Sequence, residues 1–185
     1  ELILHFWIKL FGVSELSTRL PSLIFSSITA GFIYKIGRNH FDKFVGIIAS
    51  LLFILSNYQV LLAHESRVYT LVGMLTAISM FYFIEFITKS KNRNISLIVL
   101  IASNIFLIYS HYLSFFVLVV QLMFLLSKSD LRAKFKREIL TAAGVIFIFY
   151  LPNLNVLIWR FQDSSSNGTW IKTPNGIEDL YYMIW

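Results

Sequence analysis

Four long apolar runs constrain this chain more than any other feature. They lie at residues 20–36, 44–61, 68–87 and 139–158, and each approaches the ~20 residues that a helix needs to cross ~30 Å of hydrocarbon. With 57% hydrophobic residues, 14% charged residues and a mean hydropathy of +0.70, the chain does not suit a soluble globular domain. The sequence therefore predicts an all-α, polytopic bundle of transmembrane helices in a cell membrane.

A fifth apolar stretch, residues 95–127, is too long for one crossing, because its 33 residues would make a helix of about 50 Å. A break at Ser110-His111-Tyr112 gives two short crossings, and six in all. Positive charge decides between the two possibilities, because Lys and Arg are enriched in cytoplasmic loops. Six crossings divide the 16 Lys and Arg residues 11 to 5, whereas a single crossing would move the basic cluster 128–137 to the external side.

The six-crossing topology assigns each basic residue to a side of the membrane. The cytoplasmic side carries Lys35, Arg38, Lys43, Lys89, Lys91, Arg93, Lys128, Arg132, Lys134, Lys136 and Arg137, and the external side carries Lys9, Arg19, Arg67, Arg160 and Lys172. We therefore expect residues 1–158 to form the transmembrane portion, with 1–18 as an external interfacial segment, and residues 159–185 to start an external loop or subdomain. Because the chain begins at Glu1 and ends at Trp185 without a stop signal, we expect N-terminal and C-terminal parts of a longer protein to be missing.

Arg19 is the first of several polar groups that this topology brings to the external face. It comes just before Leu20-Pro21-Ser22, and Pro21 predicts the start of a helix there, with outward-pointing backbone N–H groups. A guanidinium beside such donors suits a phosphate, because it stays charged and offers two parallel hydrogen bonds. The alternative is that Arg19 only extends toward lipid headgroups.

The segment Glu65-Ser66-Arg67-Val68-Tyr69 places charge between two apolar runs, where charge is costly and usually functional. On one helix, residues two apart diverge by about 200°, so Glu65 and Arg67 are not expected to pair directly. They serve either a binding site or a structural ion pair with other partners. His111, followed by Tyr112, could be a metal ligand, a general acid or base, or simply a polar residue at a helix turn.

Other motif classes are absent from the sequence. There is no Walker loop, no dinucleotide-binding GxGxxG and no HExxH, so nucleotide-driven and zinc-protease chemistry have no support. The absence of cysteine excludes disulfides and thiolate metal sites. We expect no nucleic acid as a partner, since the net charge of +6 is explained by the loops. No cofactor is certain, and a divalent metal is left open.

The order of several short motifs resembles a known family. These are Leu4-His5-Phe6-Trp7-Ile8-Lys9-Leu10-Phe11-Gly12, Ser14-Glu15, Arg19-Leu20-Pro21-Ser22, Ile33-Tyr34-Lys35-Ile36-Gly37-Arg38 and Glu65-Ser66-Arg67-Val68-Tyr69. Together, over residues 2–127, they resemble the polytopic glycosyltransferases of the C-type fold, in the branch of the protein O-mannosyltransferases and the bacterial aminoarabinose transferases of lipid A.

The resemblance implies an enzyme that transfers a sugar from a polyprenyl-phosphate carrier to a lipid, glycan or protein acceptor. The reaction would take place on the external face of the cytoplasmic membrane, here a bacterial one. The positions that match the family's substrate-binding residues are Arg19, Glu65, Arg67 and Tyr69, with His111 and Tyr112 as a looser match. The family's acidic catalytic base would lie upstream of Glu1, so this fragment alone is expected to be inactive.

Two other functions fit the membrane pattern. A transporter or flippase of lipid-linked intermediates would also hold Arg and Glu in a membrane cavity, and it predicts inverted repeats and broken helices. The third interpretation is a non-catalytic membrane scaffold.

Overall fold

A computed structural model describes residues 2–64, 68–88 and 92–167, and within these ranges every regular element is a helix. The α-helices are α1 (Leu2–Phe11), α2 (Glu15–His40), α3 (Lys43–Leu55), α4 (Asn57–His64), α5 (Tyr69–Thr88), α6 (Arg93–Ser110), α7 (Phe115–Ser127), α8 (Ser129–Lys134), α9 (Lys136–Tyr150) and α10 (Leu154–Asn167). Short 3-10 turns at Tyr112–Ser114 and Leu151–Asn153 precede α7 and α10. The all-α prediction is confirmed.

Among the described residues, four helices are long and apolar enough to cross a membrane. They are Glu15–His40, Tyr69–Thr88, Arg93–Ser110 and Lys136–Val156. The pair α3 and α4 bends by 61° and passes the same criterion as one broken span, Lys43–Leu55 with Asn57–Ala63. This makes up to five candidate spans where the sequence predicted six crossings.

The sixth predicted crossing is the apolar segment Tyr112–Ser127, which is shorter than a standard span. At ~1.5 Å per residue it extends about 24 Å, less than the ~30 Å of a typical hydrocarbon core. The break that the sequence predicted at Ser110-His111-Tyr112 is present, because α6 ends at Ser110 and the next turn begins at Tyr112.

Helix α2 begins at Glu15, earlier than the start predicted at Pro21. Ser14 is its N-cap, and the Ser14 hydroxyl accepts a hydrogen bond from the Ser17 N–H at 3.1 Å, which satisfies one of the free donors of the first turn. Pro21 therefore lies inside the helix and leaves the Ser17 carbonyl without its usual donor. Trp7 Nε1 donates to that carbonyl at 2.9 Å and so fastens α1 to α2.

Helices α2 and α3 form a closely packed hairpin. Asp42 caps α3 by accepting a hydrogen bond from the Val45 N–H at 2.8 Å. Gly37 and Gly46 face each other, and a Cβ added at Gly37 would lie 2.5 Å from the Gly46 Cα. Two glycines at this crossing therefore allow the two backbones to approach more closely than any side chain would permit.

Helix α5 is central, because it packs against both α2 and α6. Phe32 of α2 meets Phe81 with ring centroids 5.4 Å apart, and farther along both helices His40 Nε2 lies 3.8 Å from Glu85 Oε1. The two helices therefore run in the same direction. A small apolar core of Phe83, Leu100 and Leu125 joins α5, α6 and α7.

A closed ring of hydrogen bonds also joins these three helices. Ser79 Oγ donates to Asn104 Oδ1 at 2.6 Å, Asn104 Nδ2 donates to Gln121 Oε1 at 2.9 Å, and Gln121 Nε2 donates to Ser79 Oγ at 2.7 Å. All three side chains are buried. Polar groups are costly within a membrane unless they are paired, and here each is paired with the other two.

The chain divides into two compact units, Glu1–Tyr150 and Leu151–Trp185. The first contains α1 to α9. The second is described as far as Asn167 and consists of a 3-10 turn and α10, so the first part of the predicted external segment is helical. The boundary predicted at residues 158 and 159 stays a prediction.

Candidate functional site

Helices α2, α5 and α7 begin at the same end of the first unit. The contacts Phe32–Phe81 and His40–Glu85 show that α2 and α5 are parallel. Likewise, Ser79 bonds to Gln121 and Phe83 packs on Phe124 at 5.9 Å, so α5 and α7 are parallel. We call this end, which the charge pattern predicts to be external, the outer end.

Tyr69 and His111 meet at the outer end. Their ring centroids are 6.0 Å apart, although Tyr69 is the first residue of α5 and His111 follows the last residue of α6. Tyr112 stacks on His111 with centroids 4.8 Å apart and an interplanar angle of 21°. Tyr69 is 39% exposed and Tyr112 is 52% exposed, so this aromatic group can contact a ligand from outside.

The backbone of the following turn fixes the role of the His111 ring. His111 Nδ1 accepts a hydrogen bond from the Leu113 N–H at 3.3 Å and thereby caps the 3-10 turn at Tyr112–Ser114. In a neutral imidazole, one nitrogen accepts and the other carries the proton. With Nδ1 as the acceptor, Nε2 carries the proton and offers a hydrogen-bond donor.

Arg19 lies at the same level as Tyr69. At ~1.5 Å per residue, Arg19 is about 20 Å from Phe32 along α2, and Tyr69 is about 18 Å from Phe81 along α5. Because Phe32 and Phe81 are in contact, Arg19 and Tyr69 are at similar heights.

Arg19 is one turn into α2, not at its first N–H groups as predicted from Pro21. Its guanidinium contacts the Glu15 carboxylate at 2.9 Å, and both side chains are largely exposed, at 41% and 76%. Such exposed pairs are weak, so Arg19 remains free to exchange partners.

Glu65 and Arg67 lie outside the residues that the structure describes. The described chain on either side ends with α4 at His64 and resumes at Val68, just before α5. Of the six predicted substrate-binding residues, the structure places Arg19, Tyr69, His111 and Tyr112 at the outer end, and Glu65 and Arg67 are outside the described residues. Substrate binding by all six stays a prediction.

The opposite end of the first unit has a different character. His40 and Glu85 lie close together there, with side chains only 17% and 12% exposed. Arg93 lies over the ring of Phe135 at 5.1 Å, and Phe135 packs on Phe86 at 4.7 Å. None of the described residues forms a group of three or more His, Cys, Asp or Glu suited to a metal ion.

Sequence reasoning missed two features of this unit. Glu15 was not recognised as the partner of Arg19, although its position four residues earlier on a helix is a standard signal for pairing. The ring of Ser79, Asn104 and Gln121 was also missed, although an amide in an apolar run indicates a polar partner on a neighbouring helix.

The chain matches the model of a known protein family. The family model described as dolichyl-phosphate-mannose-protein mannosyltransferase matches residues 1–159, which include all of α1 to α9 and the outer end. No curated protein and no solved structure matches the chain.

Proposed function

Because this chain belongs to the dolichyl-phosphate-mannose-protein mannosyltransferase family, and so to the membrane glycosyltransferases, we propose that it binds a polyprenyl-phosphate-linked sugar at its outer end. The sugar is transferred there to a lipid, glycan or protein acceptor on the external face of the membrane. The observation that carries this proposal is the meeting of Tyr69 and His111, level with Arg19. The contact of Tyr69 with His111 supports the proposal, and so does the position of Arg19 at the same level of the neighbouring helix α2.

The reaction breaks the bond between the anomeric carbon of the sugar and the phosphate oxygen of the carrier. Negative charge grows on the phosphate as that bond breaks, so fixed donors aimed at it lower the barrier. We assign this task to Arg67, assisted by Arg19 and by the Nε2–H of His111. A planar guanidinium can bind two phosphate oxygens at once.

The remaining roles complete the proposed site. Glu65 orients Arg67 or a neighbouring backbone group, and Tyr69 and Tyr112 line the pocket for the sugar. The acidic residue that takes the proton from the acceptor hydroxyl lies upstream of Glu1 in this proposal. Experiments therefore use the full-length protein, and we expect the present chain alone to show no transfer.

Replacing Arg67 with Ala in the full-length protein tests the phosphate role. Loss of a charge-assisted hydrogen bond should lower kcat/KM for the lipid-linked donor by about tenfold or more. Sugar transfer is measured at matched expression and at limiting donor. Arg132→Ala is the matched control, because Arg132 is exposed on α8, away from the outer end. If Arg67→Ala and Arg132→Ala transfer sugar equally well, Arg67 does not hold the phosphate.

One feature also fits the transporter alternative. The 61° break between α3 and α4 is of the kind found in discontinuous transporter helices. The two functions differ in their product, since a transferase forms a new glycosidic bond and a flippase moves the intact lipid. Mass analysis of the acceptor after incubation with donor in proteoliposomes separates them. Donor that changes leaflet without modifying any acceptor would support the transporter.

A further inference from the structure

Hydroxyl groups inside the helices of this chain usually bond back to the preceding turn. Such bonds to a carbonyl three or four residues earlier are made by Ser27, Thr29, Ser50, Thr88, Ser103, Ser110, Ser127 and Thr141. A serine or threonine in an apolar helix is satisfied in this way without any partner from another helix.

Three buried hydroxyls depart from this pattern. Ser17, Thr70 and Ser114 are 7%, 2% and 4% exposed, and in the described part of the chain their hydroxyl oxygens have no hydrogen-bond partner. Ser17 and Thr70 lie in the first turn of α2 and α5, and Ser114 ends the 3-10 turn directly before α7, so no complete α-helical turn precedes any of them. All three are therefore at the outer end.

Two of the three lie beside the candidate site. Thr70 follows Tyr69, and Ser114 closes the turn that begins after His111, so each hydroxyl is within three residues of a ring of the Tyr69–His111 contact. Ser17 instead belongs to the contact between α1 and α2, through its carbonyl. A buried hydroxyl without a partner lowers stability, so these two positions carry a cost that a ligand can relieve.

The two hydroxyls lie on opposite sides of the outer end of α5. Phe81 faces α2 and is eleven residues after Thr70. Eleven residues make three full helical turns plus about 20°, so Thr70 faces α2 as well, at about the height of Arg19. Gln121 faces α5 and α6 and is seven residues after Ser114, so Ser114 faces these helices within about 20° as well. Helix side chains tilt toward the N-terminus, and helix N-termini favour anions.

We propose that the Thr70 and Ser114 hydroxyls donate hydrogen bonds to the phosphate-sugar head of the lipid-linked donor, across the outer end of α5. This inference rests on the proposed function and adds two ligand-binding residues to the site. In this proposal the bonds form when the donor binds, since without it both hydroxyls have no hydrogen-bond partner among the described residues.

Thr70→Val and Ser114→Ala remove each hydroxyl with little change in shape. In the full-length protein we expect each to raise the KM for the lipid-linked donor by about tenfold. Thermal stability without donor should stay unchanged or rise, because an unsatisfied buried group is lost. Thr70→Ser, which keeps the hydroxyl, should have a KM for the lipid-linked donor near that of the parent protein.

The controls are Thr29→Val and Ser103→Ala, which make the same changes at buried hydroxyls that bond back to Phe25 and Leu100. These should lower thermal stability and leave KM near that of the parent protein. The opposite result at Thr70 and Ser114, with lower donor-free stability and an unchanged KM, would overturn the inference.

A binding experiment separates this inference from the proposed function. The full-length protein in phosphatidylcholine nanodiscs is titrated with the sugar-linked polyprenyl phosphate. Failure of the parent protein to bind overturns the proposed function, whereas binding that is equal in parent and variants overturns only the inference. A parallel series with phosphatidylglycerol identifies the source of the phosphate. If Thr70→Val weakens the binding of phosphatidylglycerol as much as that of the lipid-linked donor, the hydroxyls bind bilayer headgroups and the inference is overturned.

Discussion

A single backbone hydrogen bond determines how His111 can act. Because Nδ1 is occupied by the Leu113 N–H, the neutral ring presents Nε2–H to a ligand. That state suits a donor to a phosphate oxygen and does not suit a general base. Of the roles that the sequence left open for His111, this geometry argues against a general base, and it shows that the residue caps its own turn. Substrate binding by His111 stays a proposal.

Substitutions of His111 can separate the cap from the donor. His111→Asn keeps an acceptor at the position of Nδ1 but lacks the distant N–H, whereas His111→Ala loses both. We expect only Ala to lower the free energy of unfolding, by about 1 kcal/mol as for other lost caps, and both variants to reduce sugar transfer. Unfolding and transfer assays on the two variants check this. Full transfer by His111→Asn would leave the ring with a capping role alone.

At the scale of elements, the boundaries that depend on length and charge were predictable from the sequence. The break between α6 and α7 is an example, since neither the 33-residue run nor the basic cluster allows one crossing. The start of α2 predicted at Pro21 is wrong, because Ser14 caps the helix and α2 begins at Glu15. The bend at Ser56 has no proline or glycine to mark it, and α4 is held against α2 by a bond from Gln59 to Ser26.

The hairpin of α2 and α3 gives a prediction about packing. A Cβ at Gly46 would lie 2.7 Å from the Tyr34 carbonyl oxygen and 2.9 Å from the Arg38 nitrogen. Since backbone atoms cannot move aside, Gly46→Ala should destabilise the protein by about 1–3 kcal/mol or more. Gly31→Ala in α2 is the control, because no atom lies within 4 Å of the added Cβ. Equal thermal stability of the two variants would contradict this close approach.

At the scale of the whole molecule, the sequence predicted the class of fold and which helix ends lie together, because both depend on span lengths and loop charge. It could not predict which side chains meet there. The contact of Tyr69 with His111 depends on the packing of α5 on α6. The Thr70 and Ser114 hydroxyls lack a partner within the described ranges because of where their helices begin. The short α7 is the element on which the sidedness of the fold depends most.

Cysteine labelling tests that sidedness directly, since the native chain has no cysteine. Single cysteines replace Val13, Tyr112 and Ser129, which are all exposed. With six crossings, an impermeant maleimide added to intact cells should label positions 13 and 112, and should label position 129 only after permeabilisation. Labelling of 112 and 129 from the same side would show that Tyr112–Ser127 does not cross.

The ring of Ser79, Asn104 and Gln121 also has a consequence for biogenesis. During synthesis α5 enters the membrane first, and its serine can bond to its own helix, but the amides of α6 and α7 cannot satisfy themselves in that way. The amides of Asn104 and Gln121 are paired within the lipid only when both helices are present. We therefore expect α6 to wait beside the insertion machinery until α7 has been made, so that the two helices leave it as a pair.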